Sequence, residues 1–226
     1  MAIPSFNKAA LMGGTGLVGR HLLPRLNPLF DQTLVYSRRK PAKAGQGIQW
    51  VKTDFTDTDT LDFSGVDQVF ITFGTTKSQA GTVEEFRRID RDLPLQFARA
   101  AAAAGARRLF LVSAVGADSD SWIFYNKVKG ELEDALQDMV KAGELDTLVV
   151  FRPSLLVGEH PGRMLENLGQ MALIPFARFM PATVRPIEAD QLARAIVNSA
   201  RSAPEGAHWL SGKDLWALVE KPISRD

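Results

Sequence analysis

Short apolar runs alternate with longer segments of helical period from the start of the chain to residue 151. The runs are continuously apolar and rich in β-branched and aromatic residues, as in strands that are buried on both faces of a sheet. Six strands are predicted in this way, at residues 9–12, 33–37, 48–51, 69–73, 109–113 and 147–151. Because strands and helices alternate, the pattern favours an α/β fold with a doubly wound parallel sheet and right-handed crossovers.

The helical segments between these strands are predicted at residues 17–26, 82–104 and 122–142. Pro24 is expected to bend or end the first helix early, and Pro94 to kink the second, because proline lacks a backbone donor. Thr82 and Glu85 have the spacing of a capping box at the start of the second helix. Gly105 is expected to end that helix.

After Pro153 the regular alternation of strands and helices stops. Residues 155–226 are predicted to hold two or three helices, a short strand near residues 208–210 and a last helix capped by Ser211 and Asp214. An apolar stripe in this part favours core or dimer contacts, with a lid over an apolar substrate as the alternative. The stripe consists of Met164, Met171, Phe176, Phe179 and Met180. These features predict a small C-terminal appendage to the α/β sheet.

The composition is that of an ordinary globular protein, and it narrows the function mainly by exclusion. The 226 residues are 45% apolar and 23% charged, and 27 Lys and Arg against 26 Asp and Glu leave a net charge of +1. This balance predicts neither nucleic acid nor a membrane surface as partner, and a small molecule is the expected substrate of a monomer or homodimer. The chain has no cysteine, its histidines lack metal-ligand spacing, and no targeting or membrane-spanning run is apparent. A cytoplasmic location is therefore expected.

A glycine-rich turn follows the first predicted strand. Gly13, Gly16 and Gly19 form a G-x-x-G-x-x-G pattern at the start of the first helix. The first glycine suits a tight turn, the second lets a pyrophosphate approach the backbone, and the third lets the helix pack on the sheet. Thr15, Leu17 and Val18 complete the predicted dinucleotide-binding turn, where helical N–H groups point at the anion.

The end of the second strand bears on the choice of cofactor. An NAD-specific domain usually has an acidic residue there for the ribose hydroxyls, but this chain has Ser37, Arg38, Arg39 and Lys40. Guanidinium groups can bind a 2′-phosphate through paired charge-assisted hydrogen bonds. NADP(H) is therefore preferred over NAD(H), which stays possible; a solvated basic loop is the alternative interpretation.

Two further strand ends carry candidate cofactor contacts. Asp54 follows the third strand, where it could accept a hydrogen bond from an adenine amine or cap a following helix. Phe73 ends the fourth strand, and Gly74 and Thr75 follow it; the small residues after Phe73 suit close approach of the cofactor's phosphates and ribose.

Ser113, Tyr125 and Lys129 are the candidate catalytic residues. Ser113 ends the fifth strand on the ligand side of the sheet, and Tyr125 and Lys129 lie one turn apart on one helix face. A nearby cation favours the phenolate form of a tyrosine, so this pair suits proton transfer. Ser113 would hold a substrate carbonyl, while Lys129 would also bind the nicotinamide ribose. Otherwise Tyr125 and Lys129 are ordinary residues of an amphipathic helix.

Together, these residues resemble the short-chain dehydrogenase/reductase superfamily. Four segments are similar to its atypical, Tat-interacting-protein-like branch: residues 89–92 (IDRD), 112–118 (VSAVGAD), 128–131 (VKGE) and 151–154 (FRPS). The resemblance implies a Rossmann fold over residues 1–226, with residues 155–226 forming the substrate-binding part, an NADP(H) cofactor and the catalytic roles above. It also implies that the segment Arg152, Pro153, Ser154, Leu155 and Leu156 lines the nicotinamide. In one departure, Asp90 stands where the superfamily usually has a helix asparagine, and no catalytic role is assigned to it.

The function expected from these residues is an NADP(H)-dependent oxidoreductase that acts on a small carbonyl or alcohol. A cofactor-sensing binding protein without turnover is one alternative, although a sensor has no need of an acid/base group. A sugar-nucleotide epimerase or dehydratase is another, although the segment after Ser154 is short for a nucleotide-diphosphate clamp.

Overall fold

A seven-stranded parallel sheet forms the centre of the computed structural model, which describes residues 6–42, 45–58, 60–75, 80–158 and 180–222. Its strands in chain order are β1 (Phe6–Met12), β2 (Phe30–Ser37), β3 (Ile48–Lys52), β4 (Gln68–Ile71), β5 (Arg108–Val112), β6 (Thr147–Phe151) and β9 (Gly206–Leu210). Their order across the sheet is β3-β2-β1-β4-β5-β6-β9. The order reverses between β1 and β4, and a crevice outside the carboxyl ends of strands is expected at such a point.

A second, two-stranded parallel sheet pairs β7 (Leu156–Val157) with β8 (Ile187–Glu188). The helices are α1 (Gly19–Leu26), α2 (Val83–Arg87), α3 (Leu93–Ala103), α4 (Phe124–Lys141), α5 (Ala189–Ser202) and α6 (Gly212–Glu220). All seven strands that the sequence predicts are present, with ends that differ by three residues or fewer. The doubly wound parallel sheet is thereby confirmed.

Two apolar layers cover the faces of the large sheet. On one face α3 and α4 pack over a cluster in which the ring of Phe97 contacts Tyr36 and Phe63 at centroid distances of 5.0 and 4.9 Å. On the other face α1, α5 and α6 pack over a cluster that contains the stacked rings of Phe70 and Phe110. Burial on both faces explains why the strands are continuously apolar.

The structure corrects the predicted helix ends at three places. The first helix continues through Pro24 to Leu26, because the buried side chains of Leu23 and Leu26 anchor its last turn in the core. The single helix predicted over residues 82–104 is instead α2 and α3, joined by a π-helical turn at Arg88–Asp92. This wider turn precedes Pro94, whose ring would clash in a regular helix. Ser211 precedes α6, but its side chain does not cap the helix.

The predicted helix signals are otherwise present. The Thr82 hydroxyl accepts a hydrogen bond from the Glu85 backbone N–H at 3.1 Å, and Gly105, with φ of +106°, ends α3. Within the described ranges, no helix is long and apolar enough to cross a membrane. Four residues of the predicted apolar stripe lie outside the described residues, namely Met164, Met171, Phe176 and Phe179.

Candidate active site

The glycine-rich turn between β1 and α1 is built by three glycines with different constraints. Gly13 has φ of +93°, and a Cβ there would lie 2.8 Å from the Phe73 backbone nitrogen. A Cβ on Gly19 would lie 2.1 Å from the Gly13 carbonyl oxygen, so both positions require glycine for folding. A Cβ on Gly16 would meet only that oxygen, at 3.2 Å. Folding alone therefore constrains Gly16 least.

A cavity of about 360 Å³ opens where the sheet order reverses. Ten of the predicted site residues line it: Gly16, Leu17, Val18, Phe73, Gly74, Thr75, Ser113, Tyr125, Lys129 and Leu156. They come from the glycine-rich turn, from the carboxyl ends of β4 and β5, from α4 and from β7. Asp90 from the π-helical turn also lines the cavity. Residues far apart in the sequence therefore share one wall.

Tyr125 lies half-buried in the first turn of α4. Its ring packs against buried Phe86 of α2, with 5.7 Å between the centroids. Lys129 lies one helical turn further along, as the sequence predicts, and its side chain is only 6% exposed. Gly130 lets this helix approach the loop after β5, since a Cβ there would be 2.2 Å from the Ser119 backbone nitrogen.

Lys129 forms an ion pair with Asp90, a residue to which the sequence assigned no catalytic role. Its Nζ lies 2.6 Å from Oδ1 of Asp90, whose side chain is 1% exposed. The other oxygen of Asp90 accepts a hydrogen bond from the Thr75 backbone N–H at 2.8 Å. Asp90 thus connects the ammonium of α4 to the segment that follows β4.

The charges around Lys129 decide its protonation state. Burial acts to lower the pKa of Lys129, but the Asp90 carboxylate, the Tyr125 phenol and the Glu133 carboxylate act in the other direction. The net effect raises the pKa of Lys129 above its usual value. Lys129 is therefore an ammonium group at neutral pH despite its burial.

Ser113 is bound to a carboxylate that the sequence analysis missed. Its hydroxyl donates to Oε1 of Glu133, a buried residue of α4. Glu133 also accepts hydrogen bonds from Arg152, with Nε to Oε2 at 2.9 Å, and from the Trp209 indole N–H at 2.9 Å. A signal for it exists, since Glu133 continues the four-residue spacing of Tyr125 and Lys129 along one helix face.

The hydrogen bond to Glu133 determines whether Ser113 acts as a donor or an acceptor toward a ligand in the cavity. A hydroxyl has one proton and two lone pairs, and a carboxylate can only accept. With its proton directed at Glu133, Ser113 presents lone pairs, which suit the hydroxyl of an alcohol. To donate to a carbonyl oxygen, the Ser113 hydroxyl must rotate away from Glu133.

Of the two arginines predicted to bind a 2′-phosphate, Arg39 lines a second cavity of about 650 Å³. Thr15 and Lys40 line it as well, together with Arg20, to which the sequence assigned no role. Arg38 is exposed and is not among the lining residues of this cavity. The pKa of Glu85 is lowered mainly by its hydrogen bond to Arg88, and the charge of Arg38 adds to this effect.

Two other predicted groups of residues have contacts of their own. Ser37 is buried at the end of β2, and its hydroxyl donates to the Arg39 carbonyl at 2.7 Å. The Asp54 carboxylate accepts from the backbone N–H and the hydroxyl of Thr56, at 3.0 and 2.7 Å. These hydrogen bonds lower the pKa of Asp54. The alternative that Asp54 caps a helix is wrong, because residues 53–58 and 60–67 contain none.

Of the segment predicted to line the nicotinamide, Leu156 lines the cavity, whereas the four residues before it are not among its lining residues. Arg152 is tied to Glu133, and the Ser154 hydroxyl donates to the Arg185 carbonyl. Leu155 is 38% exposed, and its neighbour Leu156 does line the cavity. Pro153 accepts a hydrogen bond from the Val115 backbone N–H at 2.9 Å, which keeps this segment alongside the loop after β5.

Comparison with known proteins matches residues 13–167 to the sequence model of the NAD(P)H-binding family. The protein fmp52, mitochondrial, of Emericella nidulans is 31% identical over 95% of this chain and 96% of the relative. The protein fmp52-1, mitochondrial, of Aspergillus terreus is 33% identical over 92% of this chain and 94% of the relative. Both relatives are named as mitochondrial proteins, which contradicts the cytoplasmic location expected from the sequence.

Solved structures share the fold at low sequence identity. MoeE5 in complex with UDP-glucuronic acid and NAD matches with a TM-score of 0.71 and 17% identity, covering 91% of this chain and 76% of that one. DesIV, a dTDP-glucose 4,6-dehydratase from Streptomyces venezuelae with NAD bound, also gives 0.71, at 18% identity, covering 94% of this chain and 80% of that one. At this identity the likeness establishes the Rossmann-type fold alone.

Proposed function

Since the chain belongs to the NAD(P)H-binding family, in the atypical branch of the short-chain dehydrogenase/reductases, we propose that it is an NADP(H)-dependent oxidoreductase acting on a small carbonyl or alcohol. One observation carries the proposal. Ser113, Tyr125 and Lys129 line the same cavity as the glycine-rich turn. We take residues 1–226 to act as one unit, with residues 155–226 contributing the substrate-binding part.

The cavity fits a dinucleotide in two respects. Gly16 borders it, and the space beside its α-carbon is free of side chains, as the approach of a pyrophosphate requires. Val18 and Leu17 lie at the amino end of α1, where helical N–H groups favour an anion. When bound, the cofactor supplies or accepts the hydride.

The protein's own residues would orient the substrate and move its proton. Tyr125 would donate a proton to the substrate oxygen, or remove one from an alcohol, through its phenol. Lys129, held as an ammonium, would stabilise the phenolate and bind ribose hydroxyls. Ser113 would receive the hydroxyl of an alcohol on its lone pairs, or rotate to donate to a carbonyl.

The proposal is tested by following NADPH oxidation spectrophotometrically against a panel of aldehydes, ketones and quinones. We expect turnover with at least one of these small carbonyls. Tight NADPH binding without turnover on any panel member would favour the cofactor-sensing alternative. Absence of NADPH and NADH binding would contradict the proposed function altogether.

Two glycine variants separate cofactor binding from folding. We expect Gly16→Val to fold but to abolish dinucleotide binding, because its side chain would fill the space that the pyrophosphate needs. We expect Gly19→Val not to fold, because its Cβ would overlap the Gly13 carbonyl oxygen. Circular dichroism and calorimetry with NADPH measure the two properties. A folded Gly16→Val variant with normal NADPH affinity would show that the loop is only a turn and does not bind the pyrophosphate.

Cofactor choice is expected to depend on the basic segment after β2. Replacing Arg38 and Arg39 together by alanine should weaken NADPH binding by about 2 kcal/mol or more, since truncating one side of a charge pair has this effect. NADH binding should barely change. The single variants identify the main contact: Arg38 is the residue expected from the sequence, whereas Arg39 lines the cavity shared with Thr15. Equal losses for both cofactors in calorimetry would contradict the 2′-phosphate assignment.

A further inference from the structure

Among the described residues of the cavity wall, Asp90 is the one buried charge to which the proposed mechanism gives no role. Its side chain is 1% exposed and it lies 2.6 Å from the Lys129 ammonium. A Cβ on Gly74 would lie 3.1 Å from the Asp90 carboxylate and 3.4 Å from Nζ of Lys129. The pair therefore lies directly behind the segment at the carboxyl end of β4, where a bound cofactor would pass.

Contacts other than the Asp90–Lys129 ion pair also hold these two residues in place. Thr75 donates its backbone N–H to Asp90, which fixes the carboxylate from the side of the sheet. Arg91 of the same π-helical turn contacts Glu131 of α4, with Nε and Oε2 3.3 Å apart. Substitution of one charge in the pair can therefore leave the two elements packed together.

The charges around Lys129 sum to zero when that of Lys129 itself is included. Asp90 faces it from the π-helical turn, and Tyr125 and Glu133 face it from its own helix. The charge of Glu133 is balanced by Arg152, which follows β6. Asp90 is thus the carboxylate left to neutralise the Lys129 ammonium.

This balance matters for a ligand whose own charge changes in the reaction. The nicotinamide ring is cationic when oxidised and neutral when reduced. An uncompensated ammonium in the wall would repel only the oxidised ring, whereas an uncompensated carboxylate would attract it. We propose that Asp90, by cancelling the charge of Lys129, sets the relative affinity of the protein for oxidised and reduced NADP, so that neither form is disfavoured electrostatically. This inference rests on the proposed function, in which Lys129 lies beside the nicotinamide ribose.

The test is calorimetric titration of NADP⁺ and NADPH into the parent protein and its charge variants, and it requires no substrate. In Asp90→Asn the Lys129 ammonium is uncompensated, so we expect NADP⁺ to weaken relative to NADPH by roughly ten- to a hundredfold. In Lys129→Met the carboxylate is uncompensated, and the ratio should move in the opposite direction. The double variant restores a neutral pair and should return the ratio close to that of the parent.

The pH dependence of Asp90→Asn gives a second readout. Without the Asp90 carboxylate, burial is opposed only by Tyr125 and Glu133, so the pKa of Lys129 should fall. Below that pKa the ammonium repels the oxidised ring. As the pH rises through it Lys129 becomes neutral, and the affinity ratio should approach the parent value.

Asp146→Asn is the matched control. It makes the same chemical change in an exposed pair with Arg107 at the opposite end of the strands, and the cofactor ratio should stay at the parent value. If Asp90 only positions Lys129, both cofactor forms will weaken equally in Asp90→Asn, and the inference is overturned. If Asp90→Asn does not fold, an unchanged ratio in Lys129→Met overturns it. A parent protein that binds neither form would overturn the proposed function, and this inference with it.

Discussion

Replacing Tyr125 by phenylalanine is expected to reduce turnover by roughly 10²- to 10⁴-fold or more while NADPH affinity stays near the parent value. The substitution keeps the ring, and with it the packing against Phe86, but removes the phenolic proton. Proton transfer to the substrate oxygen and the hydrogen bond that orients it are lost together. Steady-state kinetics with the best carbonyl from the panel, together with calorimetry for NADPH, measure the two effects.

The chain offers a matched control, because its other tyrosine lies outside the cavity. Tyr36 is buried on β2, and its hydroxyl donates to the Asp62 carbonyl. Tyr36→Phe makes the same chemical deletion, so we expect a stability loss of about 1 kcal/mol and normal turnover. Full activity in Tyr125→Phe would remove the basis for the proposed mechanism, and the cofactor-sensing alternative would then be favoured.

The large sheet was predictable because each strand is encoded locally. Strands buried on both faces must be apolar at every position, so runs such as residues 147–151 are recognisable without knowledge of their neighbours. The reversal of strand order is likewise implied by the glycine-rich turn that follows β1, since such turns belong to β-α-β units with right-handed crossovers.

The conformation of the segment from Thr82 to Ala104 could not be predicted from its own sequence. Its caps and its apolar period predict one helix, and Pro94 predicts a kink. That the kink is a π-helical turn directing Asp90 at Lys129 depends on the packing of α4, a helix from a distant part of the sequence. The departure from the superfamily's usual asparagine was visible in the sequence, but the partner of Asp90 was not.

The predicted catalytic residues come together in one cavity, but the bonds that hold them had to come from the structure. Glu133 accepts hydrogen bonds from Ser113 at the end of β5 and from Trp209 of β9, which lies two strands further along the sheet and 76 positions from Glu133 in the sequence. Only the pairing of β6 with β9 brings this indole to α4. A sequence that predicts each strand does not predict which side chains meet between them.

A large loss of stability is expected from removing the Glu133 carboxylate. Glu133→Ala would leave the Arg152 guanidinium, the Trp209 indole N–H and the Ser113 hydroxyl without their shared acceptor. Removing one partner of a buried ion pair destabilises a protein by about 3–5 kcal/mol. We expect a decrease of this size in the free energy of unfolding, measured by urea denaturation.

Glu131→Ala provides the comparison on the same helix, since Glu131 pairs with Arg87 and Arg91 but is partly exposed. Solvent screens such pairs, so its loss should be about 1 kcal/mol. If Glu133 acts as the acceptor of a network, the double variant Glu133→Ala/Arg152→Ala should lose less than the sum of the single variants, because the second truncation removes a charge already left unpaired. Additive losses, or equal losses for Glu131→Ala and Glu133→Ala, would mean that Glu133 contributes packing alone. The orientation of Ser113 toward the cavity would then have to be set by the backbone at the end of β5.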